Sequence, residues 1–431
     1  MRRYLRPVWA RRSYQFGRWP TDSVAHGMKG SQTGGLPMSR GVFGAGCLVR
    51  LYYGVQPIRR ESVADRTRAA AAPAGRAGTK VRTGRSIVMV GKEFEVREYP
   101  VPDPAPGTLL LRQELAGICG TDLHNWEYQR MTGTIVLGHE NVGIVDRLGD
   151  GVEKDYLGQP VKPGDRVVFA PGTPTGAYGF FQSEEEPHFR GGFGDYIYLA
   201  QPNTCFIKTP LTARAAVLAE PFQVGVHGVT RARMQFGDTI VVQGSGAIGL
   251  MTMIAAKASG AGRIIVVGGP AGRLEKAKML GADVVLDIGE VRDGGERTKI
   301  VREHTANGKG ADVVFECAGF LPAFNEGLGY LRNSGTFIEM GHFVDVGSLQ
   351  LNPNQELMRR NLRLEAVWGG GSNELFVRAH AVMARGEIPF ADLVDPILPL
   401  ERVADGFNAL HSGYKLDGKD VLKIAVESGM A

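Results

Sequence analysis

The feature that most constrains this chain is an apolar strand that runs straight into a glycine-rich turn. Thr239-Ile240-Val241-Val242-Gln243 reads as a buried strand, and Gly244-Ser245-Gly246-Ala247-Ile248-Gly249 comes directly after it as G-x-G-x-x-G. Gly246 to Gly260 then reads as a helix. In a chain with 60 glycines the hexapeptide alone is a weak signal, and the strand before it and the helix after it give it meaning. The first glycine permits the tight turn, the second lets the backbone approach a pyrophosphate, and the third lets the helix pack close to the sheet. Free N–H groups and the helix dipole favour phosphate at that helix start. Gly244, Ser245, Gly246, Ala247, Ile248 and Gly249 are therefore the candidate cofactor-binding residues.

Beyond this loop the chain keeps alternating between strand and helix. Arg263 to Val267 reads as strand, Leu274 to Leu280 as helix, and Val284 to Leu286 and Val313 to Phe315 as further strands. Such βαβ alternation specifies a doubly wound parallel sheet covered by helices, an α/β fold. A dinucleotide-binding strand of this kind normally ends, about 20 residues after the loop, in an acid that binds the ribose hydroxyls of NAD. Here Gly268 stands in that place, with Arg273 just beyond. A missing carboxylate removes repulsion of a 2′-phosphate, and an arginine pairs with one, so NADP(H) is favoured over NAD(H).

The first half reads differently. Ser86 to Val90, Phe94 to Tyr99, Leu109 to Leu115, Val142 to Arg147 and Asp165 to Phe169 are short strands between Gly and Pro turns, a β-rich domain. From about residue 372 a helix, Glu374 to Ala384, and a last strand, Val421 to Ala425, are expected to fold back onto it. The expected organisation is one β-rich domain from 86–210 plus 372–431, interrupted by a dinucleotide-binding domain at 211–371. Residues 1–85 hold 17 Lys and Arg against three acids, a charge of +14 that leaves −9 on the rest. They show no lasting period, and three readings compete: an upstream start chosen wrongly, a disordered basic extension, and an Arg-rich organelle transit peptide. The overall +5 is thus no sign of a nucleic-acid surface on the folded body. No apolar run is long enough to span a membrane. Cys47, Cys119, Cys205 and Cys317 show no CxxC spacing, which fits a reducing, cytoplasmic setting.

Four residues ahead of the glycine loop could bind a metal. Cys119 lies in Gly117-Ile118-Cys119-Gly120-Thr121-Asp122-Leu123-His124, His139 and Glu140 come later in Gly138-His139-Glu140, and Glu220 lies in Ala219-Glu220-Pro221-Phe222. Thiolate, imidazole and carboxylate all bind zinc, and a catalytic site uses three protein ligands with one position open. Singly each is ordinary: a lone Cys is usually a small buried hydrophobe, and a lone acid a solvated one. Their joint appearance before a dinucleotide loop is what counts.

These motifs, with Gly164-Asp165-Arg166-Val167-Val168 and Val224-Gly225-Val226-His227, resemble the zinc-containing medium-chain dehydrogenase/reductase (alcohol dehydrogenase) family, closest to its sorbitol- and threonine-dehydrogenase-like branch. The resemblance covers roughly residues 86–431. It implies a GroES-like catalytic domain, a Rossmann domain and an active site in the cleft between them. It implies Cys119 and His139 as zinc ligands, with the carboxylate left open between Glu140 and Glu220. Asp122 matches an acid that orients the ligand His. Thr121 and His124 match a hydroxyl and imidazole that relay the substrate proton, a task suited to an imidazole near neutral pH. The implied reaction moves hydride between an alcohol or polyol, or its carbonyl form, and the nicotinamide.

One family element is missing. Many members carry a structural zinc on four close cysteines, and Phe169 to Gly194 contains none, so one catalytic Zn2+ and no structural zinc is expected. Cys317 reads as a small residue beside the cofactor, Cys205 as core, and Trp126 and Phe222 as candidate pocket walls or core. The expected partner is a small alcohol or ketone, in a homo-oligomer. Two alternatives share the fold: a zinc-free NADPH-dependent enone or quinone reductase, and a non-catalytic nucleotide-binding protein. The zinc-type ligand set argues against both.

Overall fold

The computed structural model describes residues 82–174 and 176–430. The extension expected at 1–85 therefore lies outside the described residues, apart from its last four. Those four are not a tail: the first strand starts at Thr83, three residues before Ser86, and Arg85 forms ion pairs with Asp195 and Glu401.

The first β unit is two sheets. The smaller runs Glu93–Pro100, Thr83–Val90, Thr134–Val136, Phe181–Gln182. The larger runs Phe206–Lys208, Arg166–Phe169, Glu140–Leu148, Leu109–Gly117, Lys423–Glu427, Val394–Pro399, with Tyr196–Leu199 also paired to Leu109–Gly117. C-terminal strands thus complete a sheet begun about 300 residues earlier, with Ala425 opposite Gly117. The last strand begins at Lys423, two residues later than its sequence suggests. Val421 has other partners: its amide donates to the Tyr414 carbonyl at 2.9 Å, and its carbonyl accepts from Arg273 Nη2 at 3.0 Å.

The second unit is a six-stranded sheet in the order Val284–Asp287, Arg263–Gly268, Thr239–Gln243, Ala311–Glu316, Leu331–Glu339, Arg363–Ala366. Every pairing is parallel, and the chain order 3-2-1-4-5-6 is that of a Rossmann sheet. The central strands are apolar through their middles because helices cover both faces. Ile240, Val241 and Val242 are fully buried. The fold is α/β, a GroES-like β-rich unit joined to a doubly wound parallel sheet.

One apolar cluster runs through both units. It includes Leu115 and Val142 of the β-rich sheet, Phe222 and Val229 of the Ala219–Ala232 helix, and Val242 and Phe315 of the parallel sheet. Phe222 and Phe390, both buried, meet edge-on with centroids 4.9 Å apart. No helix among the described residues is long and apolar enough to cross a membrane.

Candidate active site

The glycine loop does what its spacing requires. Gly244 has φ +98°, and a Cβ there would sit 2.9 Å from the Cys317 carbonyl. A Cβ on Gly249 would collide with the Gly244 carbonyl oxygen, so the helix start can approach the strand only without a side chain. At Gly246, by contrast, a Cβ would find only Arg273 Nη1 at 4.0 Å. This glycine, the N-cap of the Ala247–Ala258 helix, therefore leaves open space in front of free N–H groups. That is a cradle fit for a pyrophosphate.

The missing acid at Gly268 has a steric cause. A Cβ there would lie 2.8 Å from Ser245 N and 2.7 Å from Ser245 Oγ. Ser245 Oγ bridges to the next residue, donating to the Gly269 carbonyl at 2.9 Å and accepting from its N–H at 3.0 Å. Arg273 is buried, its guanidinium 3.8 Å from the centroid of the Tyr414 ring, and its charged form is disfavoured mainly by that burial. It has no carboxylate ion pair among the described residues, and it lines the same cavity as the loop.

Strand register builds the donor cluster. Gly117 stands opposite Glu140, so the end of one strand brings Cys119, two residues on, beside the start of the other, where His139 and Glu140 lie. The ligand atoms of Cys119, His139 and Glu140 all lie within 4.8 Å of one another. Asp122, fully buried, is 3.3 Å from His139 Nδ1 and accepts from the Cys119 amide at 2.9 Å. Burial disfavours the charged imidazole of His139, yet Asp122 and Cys119 carry it well above its ordinary range. A pocket this anionic favours a cation placed among its donors, and soft, borderline and hard ligands together suit zinc.

Glu220 lies in the same cavity but outside that three-donor group. Burial pushes it up to about 7; His139 and Lys423 oppose the rise, and Glu140 and Asp122 add to it. Lys423 was not singled out from the sequence as a site residue. It is buried, its ammonium is paired with Glu140, and it donates to the Ile118 carbonyl at 3.0 Å. The only signal was one lysine in the apolar run Val421 to Val426, and its partner is 283 residues away.

Thr121 and His124 both line the cavity. The His124 ring is sandwiched, 5.8 Å from Tyr128 and 6.0 Å from Phe343, and burial lowers its proton affinity. Cys317 lines the cavity, and Cys205 is buried. Trp126 and Phe222 are not cavity walls. Trp126 packs on Phe407 and donates to the Lys92 carbonyl at 2.8 Å, and Phe222 sits in the shared core. In the lobe after Phe169, His188 stacks on Tyr99 at 4.3 Å. A second group of close donors, Glu316, Glu339 and His342, joins the ends of two parallel strands; His342 Nδ1 is 3.0 Å from Glu339.

Both halves match known families. Residues 105–210 match the alcohol dehydrogenase GroES-like domain, and residues 247–385 match the zinc-binding dehydrogenase domain. The chain is 32% identical to 5-exo-hydroxycamphor dehydrogenase of Pseudomonas putida over 76% of its own length and 96% of that protein's. It is 30% identical to human sorbitol dehydrogenase over 77% and 94% respectively. A crystal structure of an alcohol dehydrogenase from Thermotoga maritima superposes with a TM-score of 0.73 at 25% identity, covering 80% of this chain and 99% of that one. The fold and site define a nicotinamide-dependent oxidoreductase. The chain belongs to the zinc-type alcohol dehydrogenase family, whose members use zinc and a nicotinamide cofactor to interconvert small alcohols and their carbonyl compounds.

Proposed function

We propose that Cys119, His139 and Glu140 hold a single zinc ion per chain, with Glu220 beside it, and that the glycine loop binds NADP(H) in preference to NAD(H). One observation carries this reading: the donor cluster and the open face of Gly246 line one continuous cavity of about 1690 Å³. Zinc so held supplies Lewis acidity toward the substrate oxygen, and the nicotinamide accepts or returns hydride.

The protein's own residues do the rest. Asp122 fixes the orientation of the His139 ring and so leaves its other nitrogen for a ligand role. Lys423 balances the charge of Glu140 where water is excluded. Thr121 and His124 carry the hydroxyl proton toward solvent, with His124 as the group that passes it on. Support for NADP(H) comes from Gly268, where Ser245 leaves no room for an acid, and from the Arg273 guanidinium, which reaches toward Gly246. The absence of cysteine from the lobe at 169–194 supports a single metal. Self-association is supported by the open edge strand Arg363–Ala366 with Leu364 exposed on it, and a cytoplasmic setting by Cys119, Cys205 and Cys317, which form no disulfide among the described residues.

Metal and cofactor are tested separately. Purified protein should contain about one zinc per chain. Cys119→Ala should lose the metal and turnover while still binding NADP(H). Zinc retained by that variant, or two ions per chain in the parent, would refute the assignment. Arg273→Ala should weaken NADP(H) more than NAD(H), and an equal loss of both counts against the cofactor preference. Gly269→Asp is the better acid-restoring variant, because a Cβ there meets nothing closer than 3.5 Å. It should raise the NAD(H) preference.

A further inference from the structure

The named substrates of the relatives are chemically diverse, so the substrate class has to come from the cavity itself. Beside the donor cluster the cavity carries a nearly continuous wall of rings. Tyr128 and His124 have centroids 5.8 Å apart at 29°, His124 and Phe343 6.0 Å apart at 16°, and Phe343 and Trp368 4.6 Å apart at 17°. All four line the cavity. Two come from the Gly120–Tyr128 helix of the catalytic unit, and two lie just past strands of the parallel sheet, so the wall spans the cleft. A fifth ring, Phe180, lies 5.1 Å from His139.

Two rings of this wall are largely bare, while Phe343 also carries the Arg130 guanidinium 5.0 Å from its centroid. Trp368 is 66% exposed and Tyr128 53%, although both face a cleft. Large aromatic surfaces left facing a pocket gain most from a ligand that covers them. Meanwhile several of the cavity's polar side chains already have protein partners. Gln223 donates to the Ser372 carbonyl at 2.9 Å, Gln243 to the Ala323 carbonyl at 3.0 Å, and Arg297 is paired with Glu326. A linear polyol needs a hydrogen-bonding partner for each hydroxyl it buries, and a hydroxyl left without one is penalised. A rigid ring system asks for none and surrenders little conformational freedom on binding.

We propose that the substrate is a secondary alcohol carried on a bulky, rigid, apolar ring skeleton, aryl or alicyclic, lying against Tyr128, His124, Phe343 and Trp368. This rests on the zinc and nicotinamide reading above and narrows it. In the oxidation, the carbinol C–H bond breaks and its electron pair leaves as hydride to the oxidised nicotinamide. The O–H proton passes to solvent, and the carbon–oxygen double bond forms.

The experiment compares 1-indanol with sorbitol on zinc-replete enzyme, and monitors quenching of tryptophan fluorescence by 1-indanone in the NADP+-bound protein, where ketone and oxidised cofactor cannot react. The expected kcat/KM for 1-indanol exceeds that for sorbitol by at least 100-fold. Trp368→Ala should raise the KM for 1-indanol at least 10-fold, Trp368→Phe should largely restore it, and 1-indanone should quench the parent's fluorescence saturably. Sorbitol as the better substrate, in enzyme with normal metal and cofactor binding, overturns this inference and leaves the zinc and nicotinamide reading standing. So does a Trp368→Ala variant with unchanged KM, or the absence of quenching by 1-indanone. Loss of metal and cofactor binding in the parent would instead bring down the broader reading.

Discussion

Lys423 shows how far one side chain can matter when it is buried among charges. Its ammonium meets Glu140 in the buried interior, and burial is outweighed by Glu140, Cys119 and Glu220, which hold the amine charged. Removing one partner of such a pair leaves an uncompensated buried charge and costs about 3–5 kcal/mol. Zinc on Glu140 would take over part of the compensation. Lys423→Met should therefore lower the melting temperature strongly in a chelator and much less in excess zinc. An equal drop under both conditions would show that Glu140 does not serve the metal. Ser245 teaches the complementary lesson. In the sequence it is one more member of the glycine loop, and in the fold its hydroxyl and amide occupy the space an acid at 268 would need.

At the scale of elements, the ends of the parallel strands carry a second buried polar knot. Glu316 ends one strand and accepts from the Ala318 and Gly319 amides at 2.8 and 3.0 Å, while His342, after the neighbouring strand, lies between it and Glu339. Burial, and next the Glu339 charge, push Glu316 up to about 8 from an ordinary 4.5, against the pull of those two amides. A carboxyl raised in this way keeps a proton that the unfolded chain releases. Its contribution to stability is complete below about pH 4.5 and is lost as pH rises through about 8. Glu316→Gln keeps the accepting oxygen and carries no charge. Its melting temperature should fall less than the parent's between about pH 6 and 8. Parallel curves would place the ionisation elsewhere. Only the Glu339–His342 contact is local in the chain; Glu316 and Glu339 come together through the pairing of their strands.

For the whole molecule, the decisive fact is that the two units share a core. The Ala219–Ala232 helix contributes Phe222 and Val229 to one cluster that reaches both sheets, and Arg273 ties the dinucleotide-binding unit to the Val421 carbonyl. Calorimetry should therefore record one cooperative unfolding transition for the body. Phe222→Ala should cost about 3–5 kcal/mol and lower that single transition as a whole. Two separated transitions, only one of them shifted, would mean that the units fold independently.

The sequence alone determined the parts whose chemistry is local. A strand, three spaced glycines and a helix specify a dinucleotide loop because each glycine answers a constraint within a few residues of itself. The Thr239–Gln243 and Arg263–Gly268 strands were legible because burial on both faces makes their middle residues, Ile240 to Val242 and Ile264 to Val267, apolar. The kinds of donor at Cys119, His139, Glu140 and Glu220 were legible because each residue type carries its own ligand chemistry. What only the tertiary structure decided is which of them converge. Gly117 opposite Glu140 gathers the Cys119, His139 and Glu140 donors and leaves Glu220 outside that group. Lys423 reaches Glu140, and Trp368 reaches Phe343, through contacts between elements remote in the chain. Trp126 and Phe222 read equally as pocket walls or as core, because an aromatic residue near a motif carries no sign of which way it faces. That direction is set by packing against residues the local sequence cannot see.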